Sequence, residues 1–437
     1  MDEHGRYMAQ LDTIDVPQLE HAILAGQQRA KQELRQARLM KLKKRLIAST
    51  VAVCLMLALI VGIRVSPVLA STLSHIPFVS ELVELIAGSQ DKGILDIIDN
   101  EYYEVLDTTV EKNGISLTIK GVVADESGMI VFYRVTTEEP SMLLGLNTSS
   151  LQILQDGKDF EASSGYSFFY REGDDAIEDQ FRMDVPDKID YSSKQFEFVA
   201  SFTDRHKTVI TIPFELKQPI AETKSYPINK KVEISGQTIW LDNLNISPIR
   251  AELKLRADES NSWRLLHIVS LELIDEHGEQ WGAIKNGITG RGSFDEGYSL
   301  FIQSNYFRNP QQLTLRLGQI EALPKGEDYI EVDFEKQEVL YQPSYIQGEL
   351  SVMNDMVLYE GVQELNEHYR GTLVSTGIDA SGKEIFSSFG SAITGDQYII
   401  RKRYELEDYT NPVRLYIWSY PHYLPGSIEV DIPMLPQ

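Results

Sequence analysis

The sequence has a single cysteine, Cys54, so no disulfide can close within it and its folded parts must be held by packing. Histidine is sparse as well. His4, His21, His75, His206, His267, His277, His368 and His422 are scattered, with no pair at the i, i+4 spacing that puts two imidazoles on one helical face. A G-x-S-x-G elbow for a serine nucleophile is also missing. These gaps point to a chain that binds rather than one that turns over a substrate, and no catalytic residue, metal site or cofactor is expected. Carboxylates paired in space but distant in sequence keep a carbohydrate-active enzyme open as a lesser reading.

Positive charge is in deficit: 41 Lys and Arg stand against 65 Asp and Glu, a formal net charge of -24. The deficit is not spread evenly. Residues 1–45 hold nine basic and six acidic groups, residues 46–63 none of either, and residues 64–437 hold 32 basic and 59 acidic groups. So acidic a bulk repels phosphate backbones, and nucleic acid is not expected as a partner.

The uncharged stretch, Leu46 to Ile63, reads LIASTVAVCLMLALIVGI. Its 18 residues would extend roughly 27 Å as a helix, close to the ~30 Å of a bilayer's hydrocarbon core. Lys41, Lys43, Lys44 and Arg45 crowd its N-terminal side, whereas only Arg64 lies close on the other. The positive-inside rule then places residues 1–45 in the cytoplasm and the acidic bulk outside, on a single-pass protein of the cell membrane. Cleavage of a signal peptide between Ala70 and Ser71 is the alternative, although its basic region would be 45 residues long.

Within the tail, Pro17 suits a first helical turn, and Leu19, Ala22, Ile23, Ala30, Leu34, Ala37 and Met40 fall at helical spacing. Two readings of this amphipathic helix stand side by side. Its basic face can lie on anionic lipid, or Leu19, Ile23 and Leu34 can present an apolar stripe to a cytoplasmic protein. Residues 64–102 read as a juxtamembrane helical segment, lying on the outer leaflet or covering the first β domain.

From about Tyr103 the pattern becomes alternating runs rich in Val, Ile, Tyr, Phe and Thr, broken by turn signals such as Asn113-Gly114. The expected fold class is mainly β, with tandem immunoglobulin-like sandwiches at 103–219, 225–338 and 339–437. Each unit is expected to close on a similar strand: VITIPFEL (Val209–Leu216), YIEVDFEK (Tyr329–Lys336) and SIEVDIPM (Ser427–Met434). These follow the strands KQFEFVASF, QQLTLRLGQ and VRLYIWSYP in turn.

Three stretches invite a sharper reading. NGITGRG (Asn286–Gly292) has glycines but lacks the Lys-Ser/Thr of a phosphate loop, so it reads as a plain loop. Glu172, Asp174, Asp175, Glu178 and Asp179 could gather calcium but lack the EF-hand pattern, and read as a solvated loop. Tyr166, Phe168, Phe169 and Tyr170 are expected to pack a strand face rather than bind a ligand.

The order of these features resembles a family of Gram-positive membrane proteins described by a domain of unknown function and often encoded beside extracytoplasmic-function sigma factors. The likeness lies in VPQLEHAILAGQQRAK of the tail, RVSPVLASTLSHIPFVSELVELI after the span, and Asp91–Val135. It implies an anti-sigma-like regulator whose tail holds a sigma factor and whose outer part receives an unknown ligand or contacts the cell wall. The tail carries no His/Cys zinc motif of the kind seen in one anti-sigma class. A structural or adhesive surface protein with a simple anchor is the alternative.

Overall fold

A computed structural model describes residues 91–437, apart from 167, 169, 172, 285–288, 362–372, 394–397 and 435–437. The tail, the expected span and most of the juxtamembrane segment lie outside the described residues. With them lie Leu19, Ile23, Leu34, Lys41, Lys43, Lys44 and Arg45. Among the described residues no helix is long and apolar enough to cross a membrane. These residues are mainly β, and their one α-helix is α1 (Lys92–Asp99).

The first sandwich is built from β1 (Glu104–Lys112), β2 (Ile115–Asp125), β3 (Gly128–Thr137), β4 (Thr148–Gln155), β5 (Lys158–Asp159), β6 (Ser163–Tyr166), β7 (Ile177–Asp184), β8 (Gln195–Phe202) and β9 (Val209–Glu215). One sheet runs β1-β2-β3-β7-β6 and the other β5-β4-β8-β9, all antiparallel. Asn113 and Gly114 take φ of 54° and 76° to turn β1 into β2, a conformation that an Asn-Gly pair adopts readily. Leu117, Val131, Tyr133 and Phe181 from one sheet meet Ile153, Phe198, Ile210 and Ile212 from the other in a common core. Strand β9 alternates buried and exposed residues, as a strand with one wet face must.

By contrast, the end of β2 and the start of β3 are buried on both faces, which explains their continuous apolar runs GVVA and MIVFY. One face enters the sandwich. The other, through Val123, Ile130 and Phe132, is covered by Ile94, Ile97 and Ile98 of α1. The i, i+3, i+4 spacing of those isoleucines makes one stripe of the helix apolar. Asp91 caps its start by accepting a hydrogen bond from Gly93 N at 2.9 Å.

The second sandwich begins with β10 (Lys224–Ile234), β11 (Gln237–Ile246), β12 (Ala251–Ala257), β13 (Trp263–Ile268), β14 (Leu271–Asp275), β15 (Gln280–Trp281), β16 (Thr289–Ser293), β17 (Gly297–Ile302), β18 (Leu313–Leu317) and β19 (Ile320–Pro324). The third holds β20 (Tyr329–Asp333), β21 (Glu338–Tyr341), β22 (Glu349–Met353), β23 (Met356–Gly361), β24 (Val374–Asp379), β25 (Glu384–Ile385), β26 (Ser387–Ile393), β27 (Tyr398–Tyr404) and β28 (Val413–Ile417). Its sheets run β21-β20-β28-β24-β25 and β22-β23-β27-β26 around Ile330, Val332, Tyr359, Ile400 and Leu415. The chain ends in β29 (Tyr423–Leu424) and β30 (Ile428–Asp431).

These last two strands do not belong to the third sandwich. β29 pairs with β19 and β30 with β18, so Leu424, Val430 and Ile432 join the core of the second sandwich. The strand pairing therefore divides the chain differently from the expected 225–338 and 339–437. The third sandwich is inserted between β19 and β29, and position 338 falls at the start of β21, in the β20–β21 hairpin. Of the three similar closing strands only β9 pairs with the strand before it. β18 takes β30 in place of β20, and β28 takes β20 in place of β30.

Candidate functional site

The seam between the first and second sandwiches gathers buried polar groups, among them Asp125, Ser247, Arg250 and Ser304, and three segments build it. The β2–β3 turn contributes Asp125, Glu126 and Ser127. The end of β7 and the segment after it contribute Asp184 to Lys188, and the β11–β12 connection contributes Ser247 to Arg250.

Asp125 is fully buried. One carboxylate oxygen accepts from Ser127 N and Oγ, both at 2.7 Å, and the other accepts from Ile249 N across the seam at 2.7 Å. An Asp-x-Ser turn of this kind is the local reason the loop closes tightly, and its spare oxygen is what reaches the neighbouring sandwich. Ser127 Oγ also lies 3.2 Å from Ser247 Oγ, and Ser304 Oγ donates to Ser247 O at 2.5 Å.

Arg250, 4% exposed, places Nη1 2.7 Å from Asp184 Oδ1 and stacks its guanidinium 3.9 Å above the Phe301 ring. Burial pulls its pKa down while Asp184 pulls it up. The same carboxylate takes Arg182 Nε at 3.1 Å. Arg250 Nε has no partner among the described residues, an unmet donor that a well-packed interior rarely tolerates.

A cavity of about 270 Å³ opens beside these groups. Glu126, Lys188, Thr223, Asn245, Arg250 and Glu252 are among its lining residues. Glu126 accepts Lys188 Nζ at 2.7 Å and Thr223 N at 2.9 Å. Burial raises the Glu126 pKa, but these hydrogen bonds outweigh it and hold the carboxyl below its usual range. Charges of both signs line the cavity and largely pair with one another, so it suits a polar, neutral or zwitterionic guest.

α1 meets the same seam. Arg308, just before β18, grips the buried Asp96 with Nη2–Oδ1 at 2.6 Å and Nε–Oδ2 at 2.8 Å. Phe307 packs against the helix cluster and against Tyr102, with ring centroids 5.6 Å apart. Gly93 faces the Ser304 backbone so closely that an added Cβ would lie 2.8 Å from Ser304 N.

The other sequence motifs stay apart from the seam. Thr289–Gly292 of NGITGRG form most of β16, at the sheet edge beside β17. Of the acid cluster, Asp175 and Glu178 face Arg134 at 3.5 and 3.2 Å. Among the described residues no group of three or more His, Cys, Asp or Glu could hold a metal ion. Phe168 and Tyr170 pack against the first core, while Tyr166 is 38% exposed with its ring centroid 6.1 Å from that of Phe181.

Comparison with known proteins finds two stretches of unknown function and no activity. Residues 41–137 carry a domain of unknown function, DUF4179, and residues 223–343 match a second family of unknown function, DUF5643. The first covers α1 through β3. The second covers β10 through β21 and stops short of β30, which completes the second sandwich. No curated protein matches the sequence.

Among solved structures, one described as the conserved domain protein from Bacillus anthracis is 17% identical, covering 55% of this chain and 84% of that one at a TM-score of 0.38. The cycloalternan-forming enzyme from Listeria monocytogenes is 10% identical, covering 68% of this chain and 29% of that one at a TM-score of 0.14. Neither likeness is close enough to carry an argument about fold or function.

Proposed function

We propose that this chain is a membrane-anchored signalling regulator resembling an anti-sigma factor, without enzymatic activity of its own. Its immunoglobulin-like sandwiches lie outside the cell and receive an input. The stretch from Lys41 to Arg45 marks the cytoplasmic side of the span, and Leu19, Ile23 and Leu34 of the tail hold a sigma factor.

The observation that carries this reading is the burial of α1. A simple anchor needs only a loose tether between span and domain. Here α1, which follows the expected span and residues 64–91 in the chain, is capped, packed on the first sandwich and ion-paired to the second. A change at the seam would alter what holds α1, and the chain leads from α1 back towards the membrane. A ligand acts in this way only by its differential affinity for two states of the seam.

The test is affinity purification of the full-length chain from membranes, beside a chain whose residues 1–45 are replaced by an unrelated basic sequence. Recovery of a sigma factor with the first and not the second supports the proposal. Recovery with neither, with cell-surface function intact in both, favours an adhesive or structural protein.

A further inference from the structure

A second pocket, remote from the seam, is an open concavity of about 620 Å³ at one end of the sheet β22-β23-β27-β26 in the third sandwich. Two backbone hydrogen bonds draw its walls together: Tyr404 N donates to Asp355 O at 2.8 Å, and Glu405 N donates to Phe386 O at 2.9 Å. Phe386 stands 51% exposed in the wall. Met353, beside the β22–β23 turn that supplies Asp355, is 52% exposed. Exposed apolar surface gains nothing from water, and beside a concavity it offers a partner's apolar side chains a place to pack.

Four of the lining residues are acids: Asp355, Glu384, Glu405 and Glu407. Only Asp355 has an ion-pair partner among the described residues, Arg403 at 3.3 Å. The one lining cation, Lys383, turns its ammonium to the Glu407 and Asp408 carbonyls at 2.5 and 3.3 Å. Tyr404 also lines the pocket, but its side chain is 2% exposed and its ring packs in the third core, 5.8 Å from that of Phe334. An apolar ring and an excess of carboxylate thus meet at one concavity.

We propose that this pocket docks a cationic amphipathic peptide, its apolar side chains on Phe386 and its basic side chains on Glu384, Glu405 and Glu407. The charge excess decides between ligand classes. Residues 64–437 hold 59 acids against 32 bases, so their field draws in a polycation and turns away an anion. The exposed ring decides between polycations, because a fully hydrated one gains nothing from it whereas an amphipathic helix lays an apolar stripe on it. The proposal concerns a site of its own and does not depend on what the tail holds.

The experiment uses the full-length chain in nanodiscs of zwitterionic phosphatidylcholine, so that lipid charge does not capture the peptide. The probe is a photo-crosslinkable Lys/Leu peptide of about five helical turns, compared with its Glu/Leu counterpart and with oligolysine. The Lys/Leu peptide should crosslink within residues 353–407. Phe386→Ser, and separately the triple variant Glu384→Gln, Glu405→Gln, Glu407→Gln, should each cut the yield by about tenfold, as loss of a central anchor or its charge partners does. An unchanged circular dichroism spectrum certifies the fold of each. Crosslinks confined to other residues, yields unchanged in both variants, or equal capture of the Glu/Leu peptide or of oligolysine would overturn the proposal.

Discussion

Arg308 grips Asp96 with two nitrogens, at 2.6 and 2.8 Å, across 212 residues of sequence. The pair joins α1 to the second sandwich, and Asp96 is 3% exposed. Arg308→Ala strands that carboxylate in a site built for its partner, and such losses cost about 3 kcal/mol. The cost should appear locally, as faster hydrogen exchange at the amides of Ile97, Ile98 and Asn100, with the first core unaffected. Adding Asp96→Ala should recover part of it.

Gly93→Ala is a case where propensity and packing disagree. In an exposed helix the change stabilises by about 1 kcal/mol. At Gly93 the new Cβ would lie 2.8 Å from Ser304 N and 2.9 Å from Ser304 O, and neither backbone atom can swing aside. Packing should win, and the variant should lower the melting temperature instead of raising it.

The exchanged closing strands predict the outcome of truncation. A stop after residue 420 removes Leu424, Val430 and Ile432, each buried in the second core and worth about 2 kcal/mol. The second sandwich should open to proteolysis while the third survives; in a serial arrangement the third would be lost. Cysteines at Arg316 and Glu429, or at Glu331 and Arg414, are cross-strand neighbours and should form disulfides.

The sequence pattern and the structure agree and part at identifiable places. Alternation in Val209–Glu215 and the Asn113-Gly114 turn read directly as strand and hairpin, because both are set by local sterics. Pairing across distance is another matter. SIEVDIPM and YIEVDFEK are near copies, so local preference cannot say which of them lies beside LTLRL; the inserted sandwich decides it. The seam was hidden for a similar reason. Nothing near Asp125 signals that it will reach Ile249 N, and nothing near Arg250 signals that Asp184 and Phe301 will bury it. The helical spacing within residues 64–102 and the double-sided apolar runs in β2 and β3 are the legible signs that something covers the first sandwich.

Glu321 gives a test in pH. It is buried where the third sandwich returns to the second, and its Oε1 accepts from Ser419 Oγ at 2.8 Å and Tyr420 N at 2.7 Å. Burial pushes its pKa above the usual 4.5, and the two hydrogen bonds only partly offset this. The folded state then holds its proton to a higher pH than the unfolded chain, so this group's contribution to stability falls as the pH rises through that window. Glu321→Gln keeps the accepting oxygen and removes the charge. It should be more stable than the parent at neutral pH, and the difference should vanish below pH 4.5, as read by thermal unfolding across the range.

The proposal that outer domains govern an inner partner through α1 is tested most directly by the sigma factor retained on membranes by the parent chain and by Arg308→Ala, at equal surface abundance. Coupling between distant sites is typically worth 1–3 kcal/mol, so retention should differ by about fivefold or more. Equal retention by the two chains, or none by either, would contradict it.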